Sequence, residues 1–342
     1  MTDEPPLTAH AIPVTVLTGF LGAGKTTLLK RILEAPQGIR FGVLVNDFGA
    51  INVDAALIAE TRQDGIALSN GCICCSLRDD LVESLAGLIA TEPKPDRIII
   101  EASGVSRPLS ILSALDEPAL AERLVADATL CLVDCDQFAG LDFASTELAI
   151  DQAVSSDLLI LNKCDIASPA AIRATEETLS GPVPKVRRIR AAHADVPFEV
   201  LFGGEIRRTA ASTAAHVCDD TCAHHHHHHG GDDAHQHHQR HQHTDAFEAW
   251  SWSSDMALDE ALLRDALRRM PHALLRAKGV VRVADADGEV RRGIVQLVGR
   301  RASLTLEPGV PPGRSEIVAI ALAGALDREA IARALDACCR QG

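Results

Sequence analysis

The sequence predicts an α/β fold with a mostly parallel sheet, followed by a smaller α+β domain. Three observations point there. Short apolar runs without polar alternation recur between helical stretches from Ala11 to about Phe202. A glycine-rich turn stands where the first of these runs gives way to the first helix. After a histidine-rich interruption, the rest of the chain changes to closely spaced strands and turns.

The runs Ile12–Leu17, Phe41–Val45, Arg97–Ile100, Thr129–Val133 and Leu158–Leu161 are rich in Leu and β-branched residues, as strands covered on both faces must be. Lys25–Leu33, Asp79–Ile89, Pro118–Leu124 and Ala170–Leu179 read as the helices between them. That alternation implies helices on both faces of one sheet. Residues 216–243 hold twelve of the fifteen histidines, with Cys218, Cys222, four aspartates and the pair Gly230-Gly231. Nothing in that tract can pack, so it reads as a flexible linker. Beyond it, Ala246–Trp252 reads as a strand and Ser254–Met270 as a helix stopped by Pro271. Val280–Val283 and Val290–Val298 form a hairpin around Asp287-Gly288. Ser303–Leu306 and Glu316–Leu322 add strands, and Asp327–Cys338 closes the chain as a helix capped by Asp327. The expected division is a P-loop domain over 1–210, a His-rich linker over 211–245 and an α+β domain over 246–342.

Composition narrows the function. Of the 342 residues 46 % are hydrophobic and 23 % charged, which suits a soluble protein with a sizeable core. The formal net charge is −14. Residues 247–342 carry 14 basic and 13 acidic side chains, so the acidic excess lies upstream. An acidic body repels phosphate backbones and anionic lipid, and with no tyrosine and 3 % aromatics there is no stacking platform. Neither nucleic acid nor membrane is expected as a partner. No apolar run approaches the ~20 residues of a spanning helix. The acidic, proline-bearing start is unlike a secretory signal. The expected place is the cytoplasm, where ten cysteines stay reduced and clustered ones read as metal ligands.

Gly19-Phe20-Leu21-Gly22-Ala23-Gly24-Lys25-Thr26 fits the phosphate-loop pattern G-x-x-x-x-G-K-[ST], after a strand and before a helix, with Thr27 next in line. Its glycines let backbone N–H groups of Gly22, Ala23, Gly24, Lys25, Thr26 and Thr27 face phosphates at a helix N-terminus. Lys25 is expected on the β/γ-phosphates and the Thr26 hydroxyl on Mg2+. Ile98-Ile99-Ile100-Glu101 is an apolar strand ending in a carboxylate, the place where Mg2+ is held directly or through water. Gly104, three residues on, can offer its N–H to the γ-phosphate. Asn162-Lys163-Cys164-Asp165 follows another strand. The Asp165 carboxylate is suited to the guanine N1–H and 2-amino donors, which adenine lacks. Asn162 and the Lys163 stem would brace the loop and cover the base. The nucleotide expected is therefore GTP, hydrolysed to GDP and phosphate.

Between the phosphate loop and Glu101 lies Gly71-Cys72-Ile73-Cys74-Cys75. Three thiols within four residues suit Zn2+, Cu+ or Co2+. A trio leaves one position open, which favours transfer over permanent storage. Cys131 and Cys135 read as packing residues, Cys164 as the variable position of its motif, and Trp250 and Trp252 as core.

Taken in order, the G-F-L-G-A-G-K-T-T loop, the G-C-I-C-C segment, the E-x-S-G strand end and N-K-x-D resemble the CobW-like metallochaperone GTPases. That family is related to the urease and hydrogenase nickel-insertion GTPases. Leu275-Arg276-Ala277-Lys278-Gly279 extends the resemblance, less specifically, into the C-terminal domain. The resemblance implies a switch segment from Asn46-Asp47-Phe48-Gly49 through Asp54. Several relatives carry a Glu just after the Phe-Gly pair, where this chain has Ala50. Asp54 is carried as a ligand on the nucleotide's Mg2+ side. No Gln or Arg stands out as the residue that orients the hydrolytic water, so slow intrinsic hydrolysis is expected.

His224, His225, His226, His227, His228 and His229 form an unbroken six in the linker. Neutral imidazoles bind Zn2+, Co2+, Ni2+ and Cu2+ with little selectivity, so the tract would raise the local metal concentration near the cysteine trio. The expectation is a GTP-controlled metallochaperone, with zinc first and cobalt second as cargo, delivering to a client metalloprotein. A second copy of the chain stays open as a partner. Two rival readings are a His-rich metal buffer without linkage to GTP, and a GTP-driven activator of a metalloenzyme such as a cobaltochelatase or nitrile hydratase.

Overall fold

β1 (Ile12–Gly19) is buried from Val14 to its end, because both of its faces are covered. In the computed structural model, residues 11–35, 38–45, 67–69, 79–184, 186–203, 247–271 and 273–340 are described. The chain continues through α1 (Lys25–Glu34), β2 (Phe41–Val45), β3 (Ala67–Ser69), α2 (Asp79–Ile89), β4 (Arg97–Glu101) and α3 (Pro108–Leu115). It then forms β5 (Leu124–Asp134), α4 (Phe143–Val154), β6 (Leu158–Asn162), α5 (Pro169–Ser180), β7 (Arg187–Arg190) and α6 (Phe198–Phe202). The strands make one seven-stranded sheet in the order β3-β2-β4-β1-β5-β6-β7. Every pairing is parallel. α2 and α3 cover one face, packing Leu85 and Ile111 onto Val14, Val16, Ile98 and Ile100. α1 covers the other with Leu28, Leu29 and Ile32 against Leu17, Val43 and Ile99. This sheet places Gly19, Glu101, Asp134 and Asn162 together at the carboxyl edge of adjacent strands, where ligands of open α/β sheets bind.

Three sequence expectations are corrected here. Of the helix expected over Pro118–Leu124, residues 118–123 form turns and Leu124 opens β5, and the helix lies earlier, at α3, with Pro108 in its first turn. The strand expected at Thr129–Val133 is longer, since β5 starts at Leu124. The helix expected over Ser254–Met270 is only α7 (Glu260–Arg268), because Asp259 caps it by accepting the Leu262 N–H at 3.0 Å, while Ser254 ends one strand and Leu258–Asp259 form another.

The second sheet contains β8 (Phe247–Ser254), β9 (Leu258–Asp259), β10 (Leu274–Ala284), β11 (Val290–Val298), β12 (Arg301–Glu307) and β13 (Ser315–Leu322). Its order is β12-β11-β10-β13-β8, antiparallel throughout, with β9 added parallel to β10. α7 and α8 (Arg328–Asp336) pack on it through Leu263, Leu267, Ile331 and Leu335. Trp252 is buried in that core and donates its indole N–H to Asp336 at 2.9 Å.

The two sheets are fastened by matched irregularities. Val14 pairs with Ala126 and Thr15 with Ala128, so Asp127 is an extra residue in β5. Leu274 pairs with Ala321 and Arg276 with Ile320, so β10 carries an extra residue at Leu275. Arg276, with no exposure, donates to both Asp127 carboxylate oxygens at 2.8 and 2.7 Å and to the Leu201 carbonyl. Arg97 adds a third bond to Asp127 at 3.0 Å. Burial works to raise the Asp127 carboxyl, yet the cations Arg276, Lys278 and Arg97 outweigh it and hold it below the usual carboxylate range. Leu275, Val298 and Ile320 join the same apolar cluster as Phe202 and Ala128 of the first domain. At Gly299, whose φ is 50°, a Cβ would fall 1.5 Å from the Asp157 carbonyl oxygen, so only glycine permits this approach.

Candidate functional site

The turn between β1 and α1 rims a cavity. α1 starts at Lys25 directly after Gly24, which takes φ 104°. A Cβ on Gly24 would meet Asn162 Nδ2 at 2.4 Å, so the loop curls only because this residue lacks one. Lys25 is nearly buried, and its ammonium donates to the carbonyls of Gly19 at 2.9 Å and Phe20 at 3.2 Å. Across the pocket, Glu101 ends β4, the parallel neighbour of β1. The Thr26 hydroxyl donates to Glu101 Oε1 at 2.7 Å. Gly22, Gly24, Lys25, Thr26, Thr27, Glu101 and Gly104 are among the residues that wall this open cavity of about 310 Å³. A hydroxyl and a carboxylate side by side form an all-oxygen donor pair, which fits a hard cation such as Mg2+.

The loop after β4 is fixed from behind. Gln152 of α4, fully buried, donates its Nε2 to the carbonyls of Gly104 and Ser106, each at 3.0 Å. The loop is closed on itself as well, since the Ser106 N–H donates to the Ser103 carbonyl at 3.0 Å.

A second cluster lies beside the first and is tied to it by Asn162. The side chain of Asn162 donates Nδ2 to the Ala23 carbonyl at 2.9 Å. Its Oδ1 accepts the Ala194 N–H at 2.7 Å. One amide therefore joins the glycine-rich loop, the end of β6 and the loop after β7. Lys163 follows with φ 61°, and its Nζ pairs with Asp134 Oδ2 at 2.7 Å. Asp134 Oδ1 in turn accepts the N–H groups of Asp136 at 3.0 Å and Gln137 at 3.2 Å. Asp165 stays partly exposed, with His193 Nε2 3.2 Å from its Oδ2. Beneath this loop, burial and the neighbouring Cys164 push the Cys135 thiol up to about 12. Burial does the same to Cys131, also to about 12.

The structure thus brings Gly22, Gly24, Lys25, Thr26, Thr27, Glu101 and Gly104 to one cavity, with Ala23 buried behind it and bonded to Asn162, and Lys163 and Asp165 following Asn162 in the chain. Asp54, Cys72, Cys74, Cys75 and His224–His229 lie outside the described residues. Among the described residues, no group of three or more His, Cys, Asp or Glu side chains could hold a metal ion. Sequence reasoning missed Asp134, Gln152 and His193. Asp134 carried a signal, as the polar end of an apolar run. Gln152 and His193 carried none, because their roles depend on which loops the fold sets beside them.

Residues 13–188 match the family described as CobW/HypB/UreG, nucleotide-binding domain. The chain belongs to the CobW/HypB/UreG family. As a member of it, the chain is a P-loop GTPase. Its residues 247–339 match the cobalamin synthesis protein cobW C-terminal domain. It is 30 % identical over 320 residues to the zinc chaperone CobW of Sinorhizobium sp, covering 85 % of this chain and 86 % of that one. It is also 30 % identical over 331 residues to the zinc chaperone CobW of Pseudomonas aeruginosa, covering 87 % and 83 %. A zinc-regulated GTPase metalloprotein activator of Dictyostelium discoideum is 33 % identical over 228 residues, covering 56 % and 48 %. No helix among the described residues of this CobW-family chain is long and apolar enough to cross a membrane.

Proposed function

We propose that the chain is a GTP-driven metallochaperone whose cargo is zinc, carried at Cys72, Cys74 and Cys75 and passed to a client metalloprotein. The observation that carries the reading is the Thr26–Glu101 pair at 2.7 Å, facing the cavity of a glycine-rich loop in a chain whose relatives are named zinc chaperones. GTP would lie along the carboxyl edge of the sheet, with its phosphates on the N–H groups of residues 22–27. Lys25 would turn its ammonium from two loop carbonyls to the β/γ-oxygens, exchanging neutral acceptors for charged ones, which make stronger bonds. Mg2+, held by Thr26 and Glu101, would supply charge neutralisation at the transferring phosphoryl group when bound. Asp54 is a further proposed ligand on that side. Asp165 would accept the N1–H and 2-amino hydrogens of guanine. Adenine would leave that carboxylate unpaired at a cost of about 1–3 kcal/mol.

Gly104 would link nucleotide state to metal state. Its N–H would bond the γ-phosphate, and loss of that bond on hydrolysis would loosen the loop held by Gln152. Metal and GTP must then raise each other's affinity by the same factor. Histidines 224–229 would gather metal beside the site without fixing it. Cobalt, whose softness toward thiolates is close to that of zinc, is the second cargo to test.

The decisive experiment is Zn2+ affinity by chelator competition, with Mg2+ and a non-hydrolysable GTP analogue against Mg2+–GDP. It uses a chain lacking 216–243, so that the histidines do not mask the site. The reading expects one tight site per chain, at least tenfold tighter with the analogue, or about 1.4 kcal/mol of coupling. Equal affinity in both states, repeated with Co2+, rejects coupled delivery. Several loose sites in the full chain without nucleotide linkage would instead favour a metal buffer, the reading that twelve histidines in one tract support.

A further inference from the structure

His193 Nε2 lies 3.2 Å from Asp165 Oδ2, the carboxylate assigned above to guanine. The imidazole is 73 % exposed and Asp165 25 %, so the pair sits at the open edge of the site. A carboxylate that must accept two donors from one rigid base has to present both oxygens in one plane. A side chain that exposed keeps its rotamer freedom unless a neighbour removes it. An imidazole at contact distance from one oxygen is such a neighbour, since an Nε2–H turned onto that oxygen still leaves a second lone pair for the base.

The backbone holds His193 there by force. His193 and the next residue, Ala194, take φ of 51° and 54°, two successive left-handed residues without glycine. Such conformations persist only where the surroundings over-determine them, and they concentrate at ligand sites. The surroundings here are four bonds. Ala194 N–H reaches Asn162 Oδ1 at 2.7 Å, Ala191 N–H the Leu161 carbonyl at 2.8 Å, Cys164 N–H the Ala191 carbonyl at 3.1 Å, and Asp195 N–H the Ala192 carbonyl at 2.9 Å. Three of them involve Leu161, Asn162 or Cys164, so the loop bearing His193 is registered to the segment bearing Asp165. Asp134 pairs with Lys163 at 2.7 Å and Asp195 with Arg31 at 3.2 Å, and among the described residues His193 is the ion-pair partner of Asp165.

We propose that His193 is a positioning residue for the base: its N–H orients Asp165, and the discrimination of guanine from hypoxanthine depends on it. This rests on the reading of Asp165 as the guanine acceptor. Hypoxanthine keeps N1–H but lacks the 2-amino group, so it uses one donor and tolerates a misaligned carboxylate. Guanine uses two and does not.

The test is displacement of a fluorescent GDP derivative from the full chain by GDP, IDP and XDP. The variants are His193→Ala, His193→Gln and Asp165→Asn, each checked for native circular dichroism. Asp165→Asn exchanges an acceptor for an N–H donor, which matches the 2-carbonyl of xanthine, and it is expected to favour XDP over GDP. His193→Ala is expected to weaken GDP about fivefold to tenfold and IDP less than about twofold, which narrows the GDP:IDP ratio. His193→Gln, with an amide N–H of similar reach, is expected to restore most of the ratio. Equal losses for GDP and IDP in His193→Ala, or no loss, overturn the positioning role. An Asp165→Asn variant that keeps its base preference overturns the guanine reading, and the proposal with it.

Discussion

Asn162 connects three loops with one amide, so its removal separates two effects. Asn162→Ala leaves the Ala23 carbonyl and the Ala194 N–H without their partner in a buried place. The expected outcome is about 1–3 kcal/mol lower stability in urea unfolding, and nucleotide affinity reduced at least about tenfold. Unchanged nucleotide affinity would mean that the loops hold their places unaided. Thiol chemistry gives a second prediction. Burial lifts Cys131 and Cys135 to about 12, far from the thiolate form at pH 8. Brief iodoacetamide treatment at pH 8 should leave both unmodified until denaturant is added, as read by peptide mass. Lys25, Thr26, Glu101, Asn162 and Asp165 were legible as single residues because their motifs are ordered along the chain. Gln152 and His193 were not, since a polar residue in a helix and a histidine in a loop have ordinary explanations until their neighbours are known.

α4 acts on the nucleotide edge through one side chain. Gln152→Leu keeps the volume and deletes both bonds to the Gly104–Ser106 loop. The loop then loses the two bonds that hold it, while the phosphate loop keeps its own. Single-turnover hydrolysis is expected to slow about tenfold, with GDP affinity changed less than about twofold. Equal losses in GTP and GDP binding would reduce Gln152 to a packing role. This helix was missing from the sequence reading for a physical reason. It buries only Ala149, Gln152 and Ala153, so it lacks the apolar stripe that marks an amphipathic helix. α3 went unseen for its shortness, while the sequence after it, with its own proline, looked as much like a helix start. The strands fared better, because parallel strands covered on both faces are written as continuous apolar runs, as in Ile98–Ile100 and Leu158–Leu161.

The two sheets are joined by a salt bridge between side chains with no exposure. Removing one partner of such a pair strands the other charge. Arg276→Met is expected to cost about 3–5 kcal/mol at pH 7. The sign of the pH dependence should also change at Asp127. In the native chain its carboxyl is held low, so its contribution is full above the ordinary carboxylate value of 3.8 and fades as the pH falls through the lowered one. Without Arg276 burial dominates, the carboxyl rises, and protonation relieves the strain. The stability gap between native and variant chains should therefore narrow from pH 7 to pH 4 in urea titrations, with Asp157 and the other carboxylates common to both. A gap that widens on acidification would contradict this account. The sequence did not announce the junction, because Asp127 and Arg276 stand 149 positions apart and both fall outside the strands that the sequence predicts, at Thr129–Val133 and Val280–Val283.

The paired bulges at Asp127 and Leu275 also constrain how such chains can be recombined. This chain's second sheet, grafted onto another first sheet, brings the buried guanidinium of Arg276 with it, and the receiving sheet must already have an acid thrust out of β5 at the matching step. A host with a regular β5 would turn that position by one residue and meet the arginine with a backbone edge. Chimeras should therefore succeed by whether the host strand carries the irregularity, and percentage identity should be a poor guide to which of them fold.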